Sequence, residues 1–157
     1  MQMQFIVHDA PALRADSDYL AQVDLAPFGF PGLIEQVWLR QLPGGEFALC
    51  CIPFRAYGLA LRDRVRLGPG GGRIAARTEP AGHRALRILF APSRDGADGV
   101  AGLVTEAGLL SEWSGDRHLA IDVPPGTDVA ALVEAAEAAR GTGAYWEWSD
   151  VEPFRVA

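Results

Sequence analysis

At 157 residues the chain has the length of one domain with a buried core, and its 49% hydrophobic and 22% charged content excludes wholesale disorder. All 14 basic side chains are arginine, lysine and asparagine are absent, and 20 acids leave a formal net charge of −6. A GC-rich coding sequence accounts for both absences, and without lysine neither Schiff-base chemistry nor covalent pyridoxal phosphate attachment is open to the chain.

In chain order, residues 1–18 read as a loosely held arm with one short strand at Phe5 to His8. Period-two patterning then predicts strands at Tyr19 to Leu25, Gln36 to Leu42, Glu46 to Ile52, Arg64 to Leu67 and Arg73 to Thr78. Pro43-Gly44-Gly45 and Gly68-Pro69-Gly70-Gly71-Gly72 are hairpin loops; the second lacks the Lys-Ser/Thr of a phosphate-binding loop. Short strands at this spacing predict a β-rich part over residues 19–81, a small barrel or a strongly curved antiparallel sheet.

From Arg84 the pattern changes. A strand over Arg84 to Ala91 precedes a helix carrying Val100, Leu103, Val104 and Ala107 on one face and stopping at Gly108. Strands at Leu109 to Trp113 and His118 to Val123 are joined by Ser114-Gly115-Asp116. A second helix starts with Thr127 as N-cap, buries Val129, Leu132, Val133 and Ala136, and ends at Gly141; Tyr145 to Asp150 is the last strand. This βαββαβ order predicts a ferredoxin-like unit over residues 82–152, hence an α+β protein. Both helices would cover one sheet face, leaving the other to the first part, a second copy or a ligand, and a homodimer is expected from that need for cover. The connection Pro80-Ala81-Gly82 is too short for a flexible linker, so the two parts pack as one unit.

The stretch Ile52-Pro53-Phe54-Arg55-Ala56-Tyr57-Gly58-Leu59, then Asp63-Arg64-Val65 and Gly82-His83-Arg84-Ala85-Leu86-Arg87, resembles the signature of an uncharacterised bacterial family, the domain of unknown function numbered 4265. Val23-Asp24-Leu25-Ala26-Pro27-Phe28-Gly29 and Glu35-Gln36-Val37-Trp38 extend the resemblance over most of the chain from Tyr19 onward. It implies no chemistry, because the family has no settled activity. The family pattern carries a Gly-Asp pair where this chain has Arg62-Asp63, which puts the turn and any role of Asp63 in question. Read without the family, Pro53 ends the strand carrying Cys50 and Cys51, and Phe54 and Tyr57 plug the end of the barrel, with the Tyr57 hydroxyl in need of a partner.

Charge is unevenly laid out. Residues 55–87 hold eight arginines against Asp63 and Glu79, or +6, while the rest of the chain sets six arginines against eighteen acids, or −12. Arg62, Arg64 and Arg66 alternate with Asp63, Val65 and Leu67, so a strand there places three guanidinium groups on one face. With Arg87 and Tyr57 they form the candidate ligand-binding set, suited to an anionic small molecule. The competing reading is a solvated face paired with acids. His83, after a flexible glycine, is the candidate catalytic residue, although a turn histidine fixing the junction of the two parts is the commoner role.

Cys50 and Cys51 are neighbours whose side chains point to opposite faces, which excludes an ordinary disulfide between them and leaves one buried and one partly exposed thiol. His8, His83 and His118 are scattered and no Cys-x-x-Cys occurs, so no metal site and no cofactor are expected. No apolar run is long enough for a membrane helix and the opening residues lack a signal-peptide pattern, so a cytoplasmic location is expected. The acidic total disfavours nucleic acid as a partner. Three functions remain in view: a noncatalytic binding or regulatory module for an anionic ligand or a protein partner; a small lyase, isomerase or hydrolase using His83 as general base; and an immunity or accessory interaction protein.

Overall fold

The computed structural model describes residues 2–156. Its first sheet is built around β3 (Leu33–Gln41), whose Val37 and Leu39 point into the core while Ile34 is buried on the opposite face. β2 (Tyr19–Asp24) runs antiparallel along one edge of β3, while the other edge is shared by β1 (Gln4–Ile6), parallel, and β4 (Phe47–Leu49), antiparallel. β5 (Arg64–Leu67) and β6 (Ile74–Glu79) complete the six strands. Val23, Leu25, Val37, Leu39, Leu49, Leu59 and Val65 form its core.

The small barrel does not close. β6 reaches β2 only at the bridge between Gln22 and Arg73, where the Gln22 N–H donates to the Gly72 carbonyl at 2.9 Å. Two register shifts interrupt the β5–β6 ladder, and irregularities of this kind bend a strand away from a straight pairing course. The sheet stays open there.

The second sheet comprises β7 (Arg84–Leu89), β8 (Ser111–Ser114), β9 (His118–Val123) and β10 (Tyr145–Trp148), in the order β10-β7-β9-β8 with every pair antiparallel. α1 (Ala97–Glu106) follows β7 and α2 (Ala130–Arg140) follows β9. Leu86, Ile88, Phe90, Leu119 and Ile121 alternate onto the face that meets Val100 and Val104 of α1 and Leu132, Ala136 and Ala139 of α2. The fold is α+β. The opposite face carries Ala85 and Ala120, against which Ile52, Phe54 and Leu61 of the first part pack. The first part therefore supplies the cover that this face requires.

Three local expectations are corrected. The arm is not loosely held, because His8 is buried and the Leu13 N–H donates to the Cys50 carbonyl. The strand carrying Cys50 and Cys51 stops at Leu49: the Cys50 N–H still donates to the Trp38 carbonyl at 2.8 Å, but those of Ile52 and Phe54 find carboxylate acceptors in place of a ladder. Thr127 does not cap α2; its hydroxyl donates to the Pro124 carbonyl and holds the turn, while the Asp128 carboxylate accepts from the Ala130 N–H at the start of the helix.

Candidate functional site

Residues 51–61 run between the two sheets outside both ladders, so their backbone donors need other acceptors. Glu35 accepts from the N–H groups of Phe54, Arg55 and Ala56 at 2.7 to 2.9 Å, and Glu112 accepts from Ile52 at 2.6 Å and Ala12 at 3.2 Å. His8 lies between these carboxylates, 2.7 Å from each, with its ring stacked on Phe54 at 4.4 Å. Burial alone would push the His8 pKa down, yet its hydrogen bonds to the Glu112 and Glu35 carboxylates outweigh it, and the net direction is upward. Burial likewise works to raise Glu35, but His8 and the backbone donors bring it down to about 2. Burial raises the Cys51 pKa, so at neutral pH the sulfur is a thiol and the carboxylates hold the imidazolium. Every donor and acceptor here is occupied by protein. The cluster locks the parts together.

An open site lies beside it. The turn before β5 places Arg62 at φ +71°, the left-handed region, with its N–H on the Leu49 carbonyl. Asp63 is buried and accepts from the N–H groups of Ala60 at 2.9 Å and Ala81 at 2.8 Å, so it ties the turn to the junction between the parts. Arg62 and Arg64 then face a cleft of about 190 Å³, joined by Arg40 from β3 over a floor of Leu13, Leu42, Leu49 and Cys50. Arg64 makes two long ion pairs, to Glu46 at 3.7 Å and Glu79 at 3.8 Å, whereas among the described residues Arg40 and Arg62 make none. Asp16 on the rim is the opposing charge. Arg66 alternates outward as expected but lies outside the cleft. Cys50 is buried like Cys51, correcting the expectation of a partly exposed thiol. Burial, with Cys51 and Asp16 adding to it, pushes its pKa up to about 11, so no thiolate nucleophile stands in the cleft.

The other candidates are already engaged. His83 Nδ1 lies 2.8 Å from Asp122 Oδ1 and 3.1 Å from Oδ2. Burial raises the Asp122 pKa against the pull of His83 and Arg62. No thiol or hydroxyl touches His83 among the described residues, so the pair has no nucleophile to activate. Arg87 is 2% exposed; it donates to Glu147 at 2.7 Å and to the Ala56 carbonyl at 2.6 Å, and its guanidinium lies 4.6 Å over the Tyr57 ring. The Tyr57 hydroxyl donates to the same Glu147 at 2.8 Å, and burial followed by that bond raises its pKa to about 12. Arg87 and Tyr57 thus satisfy a half-buried carboxylate, away from the arginine cleft.

A model of the family described as Domain of unknown function (DUF4265) matches residues 35–148. The chain belongs to this family. No curated protein is significantly similar to it. Among solved structures it is similar to a hypothetical protein from Neisseria gonorrhoeae, at 17% identity and a TM-score of 0.66, over 84% of this chain and 94% of that one. That likeness concerns the fold. The match begins at Glu35 and takes in Glu112, two of the three members of the buried cluster.

Sequence reasoning missed His8, Glu35, Glu112 and Arg40. One signal was present: Glu35 is in phase with Val37 and Leu39 on β3, and a carboxylate in an inward register must find partners. His8 and Glu112 are 104 residues apart, and no local pattern joins them.

Proposed function

We propose that the chain is a noncatalytic binding module whose cleft between Arg40, Arg62 and Arg64 takes a small anionic ligand. The observation that carries this reading is the pair of arginines, Arg40 and Arg62, that line one cleft over an apolar floor without a carboxylate partner among the described residues. The enzyme reading is weaker because His83 is turned onto Asp122 and Cys50 is a buried thiol. The ferredoxin-like description of the second unit draws support from its strand order and from the helix pair on one face. A homodimer is the second reading: Met3, Phe5 and Val7 are exposed along and beside β1, which among the described residues pairs with β3 alone, and sedimentation at high micromolar concentration distinguishes the two states.

Titration calorimetry with pyrophosphate tests the cleft. The expected result is binding that weakens as salt rises and falls about tenfold when Arg40→Gln and Arg62→Gly are combined. Equal affinity in wild type and variant would remove the cleft from consideration.

A further inference from the structure

Four residues along β9 from Asp122, the seam between the two units opens into a second pocket of about 320 Å³. His118 lies in its wall, and among the described residues its ring nitrogens have no hydrogen-bond partner, unlike those that pair His8 and His83. Every fully buried side-chain nitrogen and oxygen among the described residues is partnered, so the free nitrogens of His118 open on the pocket. The Phe54 ring, 5.7 Å from the imidazole, packs against it.

Two cations stand beside it. Arg55 is half-buried, is anchored through its N–H on Glu35 and lies 5.6 Å over the Phe30 ring, with no carboxylate partner among the described residues. Arg117 donates its Nε to the Phe90 carbonyl at 2.9 Å, and its two terminal nitrogens have no protein acceptor among the described residues. Ser114 is on the same wall and Asp116 at the rim is the opposing charge. Unpaired guanidinium forks, a hydroxyl and an imidazole supply more donors than the two oxygens of a carboxylate can use, and they suit a tetrahedral oxyanion.

We propose that this pocket binds a phosphoryl oxyanion, either inorganic phosphate or a small phosphomonoester, through Arg55, Arg117, Ser114 and His118. Ile6 and Leu89 add apolar wall on which the organic group of an ester can rest, so the ester is the preferred source. Binding is linked to protons. Burial, then Arg55 and Arg87, push the His118 pKa down to about 4 against the smaller pull of Glu35, so the empty pocket holds a neutral ring at pH 7. An anion that offsets those cations favours the imidazolium and draws in a proton.

The test follows the His118 imidazole by NMR across a pH titration in ethyl phosphate, inorganic phosphate or sodium chloride of equal ionic strength. Either phosphate is expected to raise the wild-type midpoint by about one unit or more relative to chloride, and ethyl phosphate is expected to act at the lower concentration. Equal potency of the two phosphates would assign the site to inorganic phosphate. Arg55→Gln has opposed effects: losing a cation raises the resting midpoint, while the anion-induced rise disappears. Arg62→Gly, in the other cleft, keeps the whole response, which separates this site from the one proposed above. A wild-type midpoint unmoved by both phosphates, or moved equally in Arg55→Gln, would overturn the proposal.

Discussion

Arg62 shows a residue doing at one position what its backbone resists. A side chain at φ +71° is held in the left-handed region, which costs a non-glycine residue roughly 1 to 2 kcal/mol. The chain accepts that cost and gains an exposed guanidinium over the cleft. Arg62→Gly is therefore expected to leave the thermal midpoint unchanged or to stabilise the protein by up to about 1 kcal/mol, because part of the relief is offset by glycine's greater unfolded-state entropy. Differential scanning calorimetry decides the point. A clear drop in midpoint would mean that packing of the arginine stem, and not strain, dominates at this turn.

Among the elements, the segment after β4 depends on Gly58, which sits at φ +72° under the C-terminal residues. A Cβ there would lie 1.9 Å from the Phe154 nitrogen and 2.6 Å from the Pro153 carbonyl carbon, both backbone atoms that cannot rotate aside. Phe154 packs near Phe28, so the end of the chain is part of the first core. Gly58→Ala should cost about 1 to 3 kcal/mol in urea unfolding. Part of that cost should vanish when residues 153–157 are removed, leaving the backbone term; a full cost in the truncated protein would place the strain entirely in φ. The same segment marks the limit of what the sequence discloses. β5 and β9 are legible to the residue from alternation, and the order of helices and strands after Arg84 follows from periodicity. The strand through Cys50 and Cys51 was overread because local patterning does not reveal that Ile52 and Phe54 donate to Glu112 and Glu35, residues 60 and 19 positions away. Arg62 and Arg64 were legible as a pair, but Arg40 joins them only through the β3–β4 pairing.

For the whole molecule, the decisive joint is the His8 cluster, in which the N-terminal arm, β3 and β8 each contribute one charged group. Its pH dependence follows from the direction of each shift. Glu35 is lowered from 4.5 to about 2, so its stabilisation is present above pH 4.5 and is lost as the pH falls toward 2. His8 is raised above its ordinary 6.5, so its stabilisation is complete below pH 6.5 and declines as the pH rises beyond it. Together they place the greatest contribution of the cluster between pH 4.5 and 6.5. Replacing His8 by Phe keeps a ring on Phe54 but leaves two buried carboxylates facing a vacated cation, a loss of about 3 to 5 kcal/mol near neutrality. It should also invert the acid limb: protonating a carboxylate relieves the variant, so His8→Phe gains stability as the pH is lowered from 7 toward 5 while the wild type does not lose any over that interval. Urea unfolding at a series of pH values measures both curves, and parallel profiles for the two proteins would show that the imidazolium is not what holds the carboxylates together.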